Sequence, residues 1–357
     1  MMRVLIIMLT TLALSCNTQP TKEADQPYSS DEINESYKEV VCFVYHRFGD
    51  GRFPSTNIDI EDFNTHLAWL ADHEYQVLNL SDAIAYLSND DPIKKTAVIT
   101  IDDGYKSFFK NGLPLLNQYQ FAATLFINTA TVGAGDYMNW EELKKASNQK
   151  IEIGNHTDTH AYFLNQEPSL RYTDFENDVL LAQQLIKKNL GITPAVFAYP
   201  YGEFDQKMKS IVESLGFTGA AAQNSGVMNT LISKHEIPRF PMSENYAKMF
   251  EEKARMQALK MTKKVPEENL MANQVNRPLL TLTMNTEGIL TDQLQCFVQG
   301  GECSIQIMDR ASGKLTLTLQ STHDLSARRR TLYTLTAPDS SGNWHWFSHL
   351  WINNSVK

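Results

Sequence analysis

A parallel α/β architecture followed by a small antiparallel β-sandwich is the fold class this sequence predicts. Three observations carry it. Short β-like apolar runs alternate with amphipathic helical segments over residues 40–262. From Pro278 the hydrophobic pattern switches to period two. The residues best suited to chemistry fall just after the predicted strands, where parallel α/β folds gather their functional groups. The 357 residues are 42% hydrophobic and 20% charged, which excludes a disordered or collagen-like chain. At about 150 residues per domain, the length predicts two or more domains.

The N-terminus comes first. Met1-Met2-Arg3 precedes an apolar run from Val4 to Leu14. That run is shorter than the roughly 20 residues that span a bilayer, but it suits the apolar region of a secretory signal over residues 1–15. Leu12-Ala13-Leu14-Ser15-Cys16 resembles a bacterial lipoprotein signal, in which Cys16 is lipidated and anchors the chain to a membrane. The alternative is a plain secretory signal with an incidental cysteine. Either way the chain is expected to be exported, and a lipidated Cys16 would keep it in the cell envelope. Residues 16–38 are polar and carry two prolines, as a tether does. Export implies an oxidising compartment. Cys296 and Cys303 flank a hairpin with a Gly300-Gly301 turn and are expected to pair. Cys42, inside the apolar run Val40–Tyr45, reads as a buried, inert thiol.

Residues 39–265 form the expected α/β domain. Its strand candidates are Val40–His46, Gln76–Leu80, Thr96–Asp102, Ala122–Asn128, Lys150–Gly154, Ala195–Tyr199, Thr218–Ala222 and Glu236–Phe240. Helical patterns occupy Ile60–His73, Asp82–Leu87, Tyr105–Tyr119, Glu141–Ala146, Tyr172–Leu190 and Asp205–Leu215, and Gly191 with Pro194 is a helix-stop signal. Near-continuous apolar strands imply cover on both faces, in a barrel or a doubly wound sheet. Ser243–Lys264 reads as a closing helix, residues 266–277 as a polar linker containing Pro266, and residues 278–357 as the sandwich. Trp344, Trp346, Trp351 and Tyr333 are expected in the core of that sandwich, with Arg328-Arg329-Arg330 as a solvated charge run. The net charge is −9, and from Arg277 onward there are seven basic and six acidic residues, so the first 276 carry −10. That sign argues against nucleic acid as a partner.

Three strand ends stand out. Asp102-Asp103-Gly104 follows the third strand, and adjacent carboxylates repel unless a cation or proton relieves them. An Asp-Gly turn with a helix cap is the bland alternative. Asn155-His156-Thr157-Asp158-Thr159-His160 follows the fifth strand. Its two histidines, four apart, suit one divalent ion, and two histidines with a carboxylate make a common open site. Pro200-Tyr201-Gly202 follows the sixth, as a loop break or as a rigid turn aiming a backbone N–H at developing negative charge.

Together with Thr100-Ile101 and Phe197-Ala198-Tyr199, these segments resemble the polysaccharide deacetylases, carbohydrate esterases of family four, over about residues 40–260. Val44-Tyr45-His46-Arg47 and Ala198-Tyr199-Pro200-Tyr201-Gly202 look most like the branch that deacetylates poly-β-1,6-N-acetylglucosamine. The resemblance implies a distorted (β/α) barrel of about seven strands, so one of the eight candidates is in excess. It implies Asp103, His156 and His160 as ligands of one divalent ion, zinc first and nickel, cobalt or iron next. It implies Asp102 as general base and the Tyr201 N–H as oxyanion donor. His46, Trp140 and Pro200 are the expected substrate-lining residues, Trp140 as an apolar wall for the acetyl methyl.

Two features depart from the family pattern. Ala198 stands where many members carry the arginine that positions the base, and Arg239 is the candidate to supply that charge from a later strand end. The late Leu-x-His motif of the general acid has no clear copy; His235 is nearest and is expected to face solvent, leaving the proton donor unassigned. The expected activity is metal-dependent hydrolysis of N-acetyl groups, a carbon–nitrogen bond other than a peptide bond, on an N-acetylated polysaccharide of the cell surface. An O-acetyl polysaccharide esterase and a glycan-binding protein with little turnover are the competing expectations.

Overall fold

The computed structural model describes residues 37–356. The signal segment 1–15, the lipidation candidate Cys16 and the tether through Ser36 lie outside the described residues. Lys38, assigned to the tether, belongs to the fold. It is buried and its ammonium donates to the carbonyls of Tyr86 and Asn89 at 2.9 and 2.6 Å.

The first sheet is built from β1 (Glu39–Tyr45), β4 (Gln76–Leu78), β5 (Thr96–Ile101), β6 (Ala123–Ile127), β7 (Ile151–Asn155), β8 (Val196–Ala198), β9 (Gly219–Ala221), β10 (Val227–Asn229) and β11 (Phe240–Pro241). A separate short pair, β2 (Arg47–Phe48) and β3 (Asn57–Ile58), follows β1. The strand order is β10-β1-β5-β6-β7-β8-β9, with β4 on β5 and β11 on β1. Only β10 runs antiparallel to its neighbour. Ile237 bridges to Ala221 on β9 and Phe240 pairs with Phe43 on β1, so one irregular segment links the two ends of the curled sheet. The result is a distorted barrel. All six residues of β5 and six of the seven in β1 are buried, which explains their unbroken apolar and β-branched character.

Two features of this sheet differ from the sequence reading. The strand expected over Glu236–Phe240 is reduced to a bridge and a two-residue pairing, because Pro238 has no N–H for a ladder. The antiparallel β10 was not anticipated, since three residues are too few to show a period.

The second layer system is a sandwich. One sheet orders β12 (Gln257–Ala258), β19 (Trp344–Ile352), β18 (Arg330–Pro338) and β15 (Gln295–Val298); the other orders β13 (Met261–Val265), β14 (Leu279–Asn285), β17 (Lys314–Ser321) and β16 (Cys303–Ala311). Leu280, Leu282, Leu317 and Leu319 from one sheet and Tyr333, Leu335 and Trp351 from the other share its core. Trp346 instead packs against the barrel core, with its indole N–H donating to Ser225 O at 3.1 Å, and Trp344 is exposed. Cys296 and Cys303 form a disulfide, and Cys42 is buried.

The closing helix expected over Ser243–Lys264 is not there. Only Phe250–Ala254 is α-helical, preceded by a 3-10 turn over Ala247–Met249 and followed by β12 and β13. β13 pairs along β14, so an available sheet edge outweighs the local helical pattern. The sandwich sheets therefore begin well before residue 278. The segment 266–277 is also packed rather than free: Leu270 bridges to Ile352 and Met271 is buried in the sandwich core. These two apolar residues lie within an otherwise polar stretch.

Candidate active site

The C-terminal ends of β1, β5, β7 and β8 converge on one open cleft of about 560 Å³, a size that suits a ligand pocket. His46, Asp103, His156, His160 and Tyr201 all line it. These five come from four different strand ends, which is the convergence that parallel topology produces.

Asp103, His156 and His160 offer ligand atoms that all lie within 4.8 Å of one another. The two Nε2 atoms are 3.1 Å apart, and Asp103 Oδ1 is 3.6 and 3.5 Å from them. Ligands about 2.0–2.1 Å from a tetrahedral ion stand about 3.4 Å from each other. The cluster fits that spacing. His156 Nδ1 lies 2.7 Å from Ala198 O, so the carbonyl takes its N–H and leaves the Nε2 lone pair facing the cluster. Burial, followed by the neighbouring His156, holds the His160 imidazole down to about 4, which keeps it neutral as a ligand must be.

The backbone here is unusual. Asp103 (φ 72°), Thr157 (φ 68°), His160 (φ 52°) and Tyr201 (φ 59°) all lie in the left-handed region that favours glycine. Each such residue costs about 1–3 kcal/mol and persists only where its surroundings over-determine it. Those surroundings are visible. Thr157 N–H donates to Asn155 Oδ1 at 2.8 Å and His160 N–H to Thr157 Oγ1 at 3.0 Å. Asp178, on the helix Arg171–Leu190, accepts from the Asp158 and Thr159 N–H groups and from Thr159 Oγ1. Gly104 and Gly202 continue the two turns at φ 74° and 69°.

Asp102 is fully buried beside the cluster. Arg239, equally buried, donates from Nη1 to Oδ1 at 2.7 Å and from Nη2 to Oδ2 at 2.9 Å, a bidentate pair. Its remaining side-chain hydrogen bonds go to Thr100 Oγ1 at 3.1 Å and, through Nε, to Ala222 O at 2.8 Å. Burial opposes ionisation of Asp102, but the positive charge of Arg239 and the hydrogen bonds it donates outweigh it. The carboxyl is held well below the usual range.

Comparison with known proteins decides the family of this domain. Residues 89–220 match the family model described as polysaccharide deacetylase. The chain carries a polysaccharide deacetylase domain. It is 22% identical over 213 residues to the poly-β-1,6-N-acetyl-D-glucosamine N-deacetylase of Staphylococcus aureus, covering 57% of this chain and 73% of that protein. The deacetylase domain also shares its fold with two solved structures. One is the Streptococcus pyogenes deacetylase PplD in complex with acetate (TM-score 0.55, 19% identity, 60% of this chain and 98% of that one). The other is IcaB from Ammonifex degensii (TM-score 0.52, 22% identity, 61% and 97%).

Three residues do not sit where the sequence suggested. Trp140 is not a cleft residue: Asn139 caps its helix with a capping box, and Trp140 packs against the barrel core. Pro200 is buried under the turn and leaves the cleft to Tyr201. His235 is not freely solvated, since its ring meets Phe217 O at 2.8 Å and Glu213 at 3.4 Å, and it does not line the cleft. The aromatic wall is formed instead by Tyr105 and Tyr137, stacked at 4.8 Å, with the Arg47 guanidinium 3.6 Å from the Tyr105 ring. Sequence reasoning missed these tyrosines and Asp178, which carry no local pattern that separates them from ordinary surface or core. It also read Arg328-Arg329-Arg330 as a solvated run, whereas Arg330 lines the cleft and Arg329 pairs with the buried Glu203.

Proposed function

We propose that this chain is a metal-dependent N-deacetylase acting on an N-acetylhexosamine-containing polysaccharide of the cell surface. The observation that carries the reading is the Asp103–His156–His160 cluster standing next to a buried carboxylate clamped by Arg239. Asp103, His156 and His160 would hold the ion, zinc first and nickel, cobalt or iron next. A divalent cation there lowers the pKa of a water toward about 7, which makes a nucleophile available at neutral pH.

The chain's own groups complete the chemistry. Arg239 keeps Asp102 ionised, and each carboxylate oxygen retains a lone pair to accept the proton of the attacking water. In the Tyr201 turn, the Gly202 N–H closes onto Tyr199 O at 2.9 Å and the Glu203 N–H onto Pro200 O at 3.0 Å, while the Tyr201 N–H takes no part in that closure. That N–H donates to the oxyanion formed on the acetyl carbonyl, a contribution worth about 3–4 kcal/mol per donor in other enzymes. His46 is the cleft imidazole outside the cluster among the described residues, and it lines the path of the substrate. The products are acetate and a free amine on the sugar.

Export is supported by the N-terminal segment and by the Cys296–Cys303 disulfide, and the lipid anchor rests on Cys16. The decisive experiment incubates the protein with N-acetylglucosamine oligomers with and without chelator. Acetate release that vanishes with chelator and in Asp102→Asn is expected. Tight glycan binding without release would overturn the reading in favour of a binding protein, and release from O-acetylated glycans alone would make it an O-acetyl esterase. Cys16→Ala should move the protein from the membrane to the soluble fraction.

A further inference from the structure

The β-sandwich reaches into the cleft. Arg330, the first residue of β18, lines it together with the cluster residues. Its Nη1 donates to Tyr201 O at 3.1 Å, and its Nε is 3.7 Å from Glu203 Oε1. The neighbouring Arg329 forms a bidentate pair with Glu203 at 2.7 and 2.6 Å, in which Glu203 is buried and Arg329 nearly so. Glu203 is the residue that terminates the Pro200–Gly202 turn. The middle of that turn and its C-terminal end are therefore gripped from the second domain.

A second line of contact runs through rings. The Arg329 guanidinium lies 4.5 Å from the Tyr162 ring. Tyr162 stacks on Tyr201 at 3.7 Å with an interplanar angle of 3°. Tyr201 meets His160 edge-on at 4.4 Å. Sandwich, turn and ligand cluster form one contiguous packed series. The Tyr201 backbone, at φ 59° and ψ 6°, would not hold this conformation cheaply without external support.

We infer that Arg330 is a positioning residue for the oxyanion turn, and that the C-terminal sandwich is through it a structural part of the catalytic site. Arg330 fixes the Tyr201 carbonyl, and thereby the direction of the N–H on the same residue's other side; Arg329 and Glu203 anchor the turn's end. The inference rests on the deacetylase reading for its catalytic consequence but not for its geometry. Arg330 is half-exposed, so its replacement is compatible with folding.

The test compares Arg330→Ala and Arg330→Lys with the unmodified full-length, metal-loaded protein. Three readouts are taken: kcat and KM on N-acetylglucosamine oligomers, bound metal per chain, and amide exchange of a peptide covering residues 199–204. Arg330→Ala is expected to lower kcat about 10- to 100-fold, the loss that a misplaced catalytic group brings, with KM within about twofold. Metal content should stay unchanged and exchange in the 199–204 peptide should speed up, while Arg330→Lys, which can still bond the Tyr201 carbonyl, recovers most of both. A raised KM with unchanged kcat would make Arg330 a substrate contact and overturn the inference. Unchanged exchange would overturn it as well. If the unmodified protein releases no acetate, the functional reading fails, while faster exchange in Arg330→Ala still supports the hold on the turn.

Discussion

Removing the charge from Arg239 tests the most heavily buried interaction in the site. Arg239 and Asp102 are both fully inaccessible, and two charge-assisted hydrogen bonds join them. Such bonds contribute about 1.5–3 kcal/mol each, and breaking one side of a buried pair costs about 3–5 kcal/mol because the other charge is stranded. Arg239→Met keeps the side-chain bulk and also strips partners from Thr100 Oγ1 and Ala222 O. It should therefore lose about 3–5 kcal/mol in urea unfolding, and Asp102→Asn a comparable amount. The double variant leaves neither charge buried, so its loss should fall at least 2 kcal/mol short of the sum, within the usual range for residues in contact. Acetate release by Arg239→Met should drop about tenfold or more at unchanged metal content. The reasoning fails if the two single losses add to the double within about 0.5 kcal/mol, because uncoupled sites behave that way.

Three further outcomes follow from the packing. His66 is buried, bonded to Tyr45 Oη at 3.0 Å and Ala247 O at 2.9 Å, and burial brings its pKa down to about 4. The unfolded chain, with the imidazole near about 6.5, binds that proton first. Its contribution is thus complete above pH 6.5 and drains away as the pH falls toward 4, by about 2 kcal/mol between pH 7 and 5; His66→Gln should flatten the urea-midpoint profile relative to the parent, and an identical profile would contradict this. The Cys42 thiol is pushed up to about 12 by burial, so a thiol reagent at pH 8 should leave it unmodified in the native protein and label it only after denaturation. A Cβ on Gly154 would collide with the Phe126 ring, which packs 5.8 Å from the Arg239 guanidinium. Gly154→Ala should cost about 1–3 kcal/mol by thermal or urea unfolding, and no loss would mean that Phe126 has room to move.

Much of the site was legible because it obeys a local rule. Asp102-Asp103-Gly104 and the His156/His160 pair each follow a strand whose apolar run can be read directly, and parallel topology brings strand ends together. That is why Asp103 and His156, 53 positions apart, fall into one group in the sequence. Tyr201 was readable for the same reason. Trp140 misled because an aromatic near a site looks the same whether it faces the cleft or the core; the Asn139 cap orients its helix so that it packs inward. The pattern over 243–264 misled because helical periodicity is a weak preference, and the edge of β14 offered a ladder that no local window contains.

By itself, then, the sequence determined the alternation of strands and helices, the order of the three segments that meet at the cleft, the half-buried alternation of the sandwich and the pairing of Cys296 with Cys303, although β15 and β16 that carry them pair with β18 and β17 of different sheets rather than with each other as the expected hairpin. Each of these is set by neighbours within a few residues. Only the tertiary structure decided that Arg239 lies against Asp102 across 137 positions, that Asp178 holds the histidine loop, and that Arg330 of the sandwich touches the Tyr201 turn 129 positions earlier. Long side chains satisfy buried charge wherever the packed chain delivers a partner, and no period in the sequence records that address.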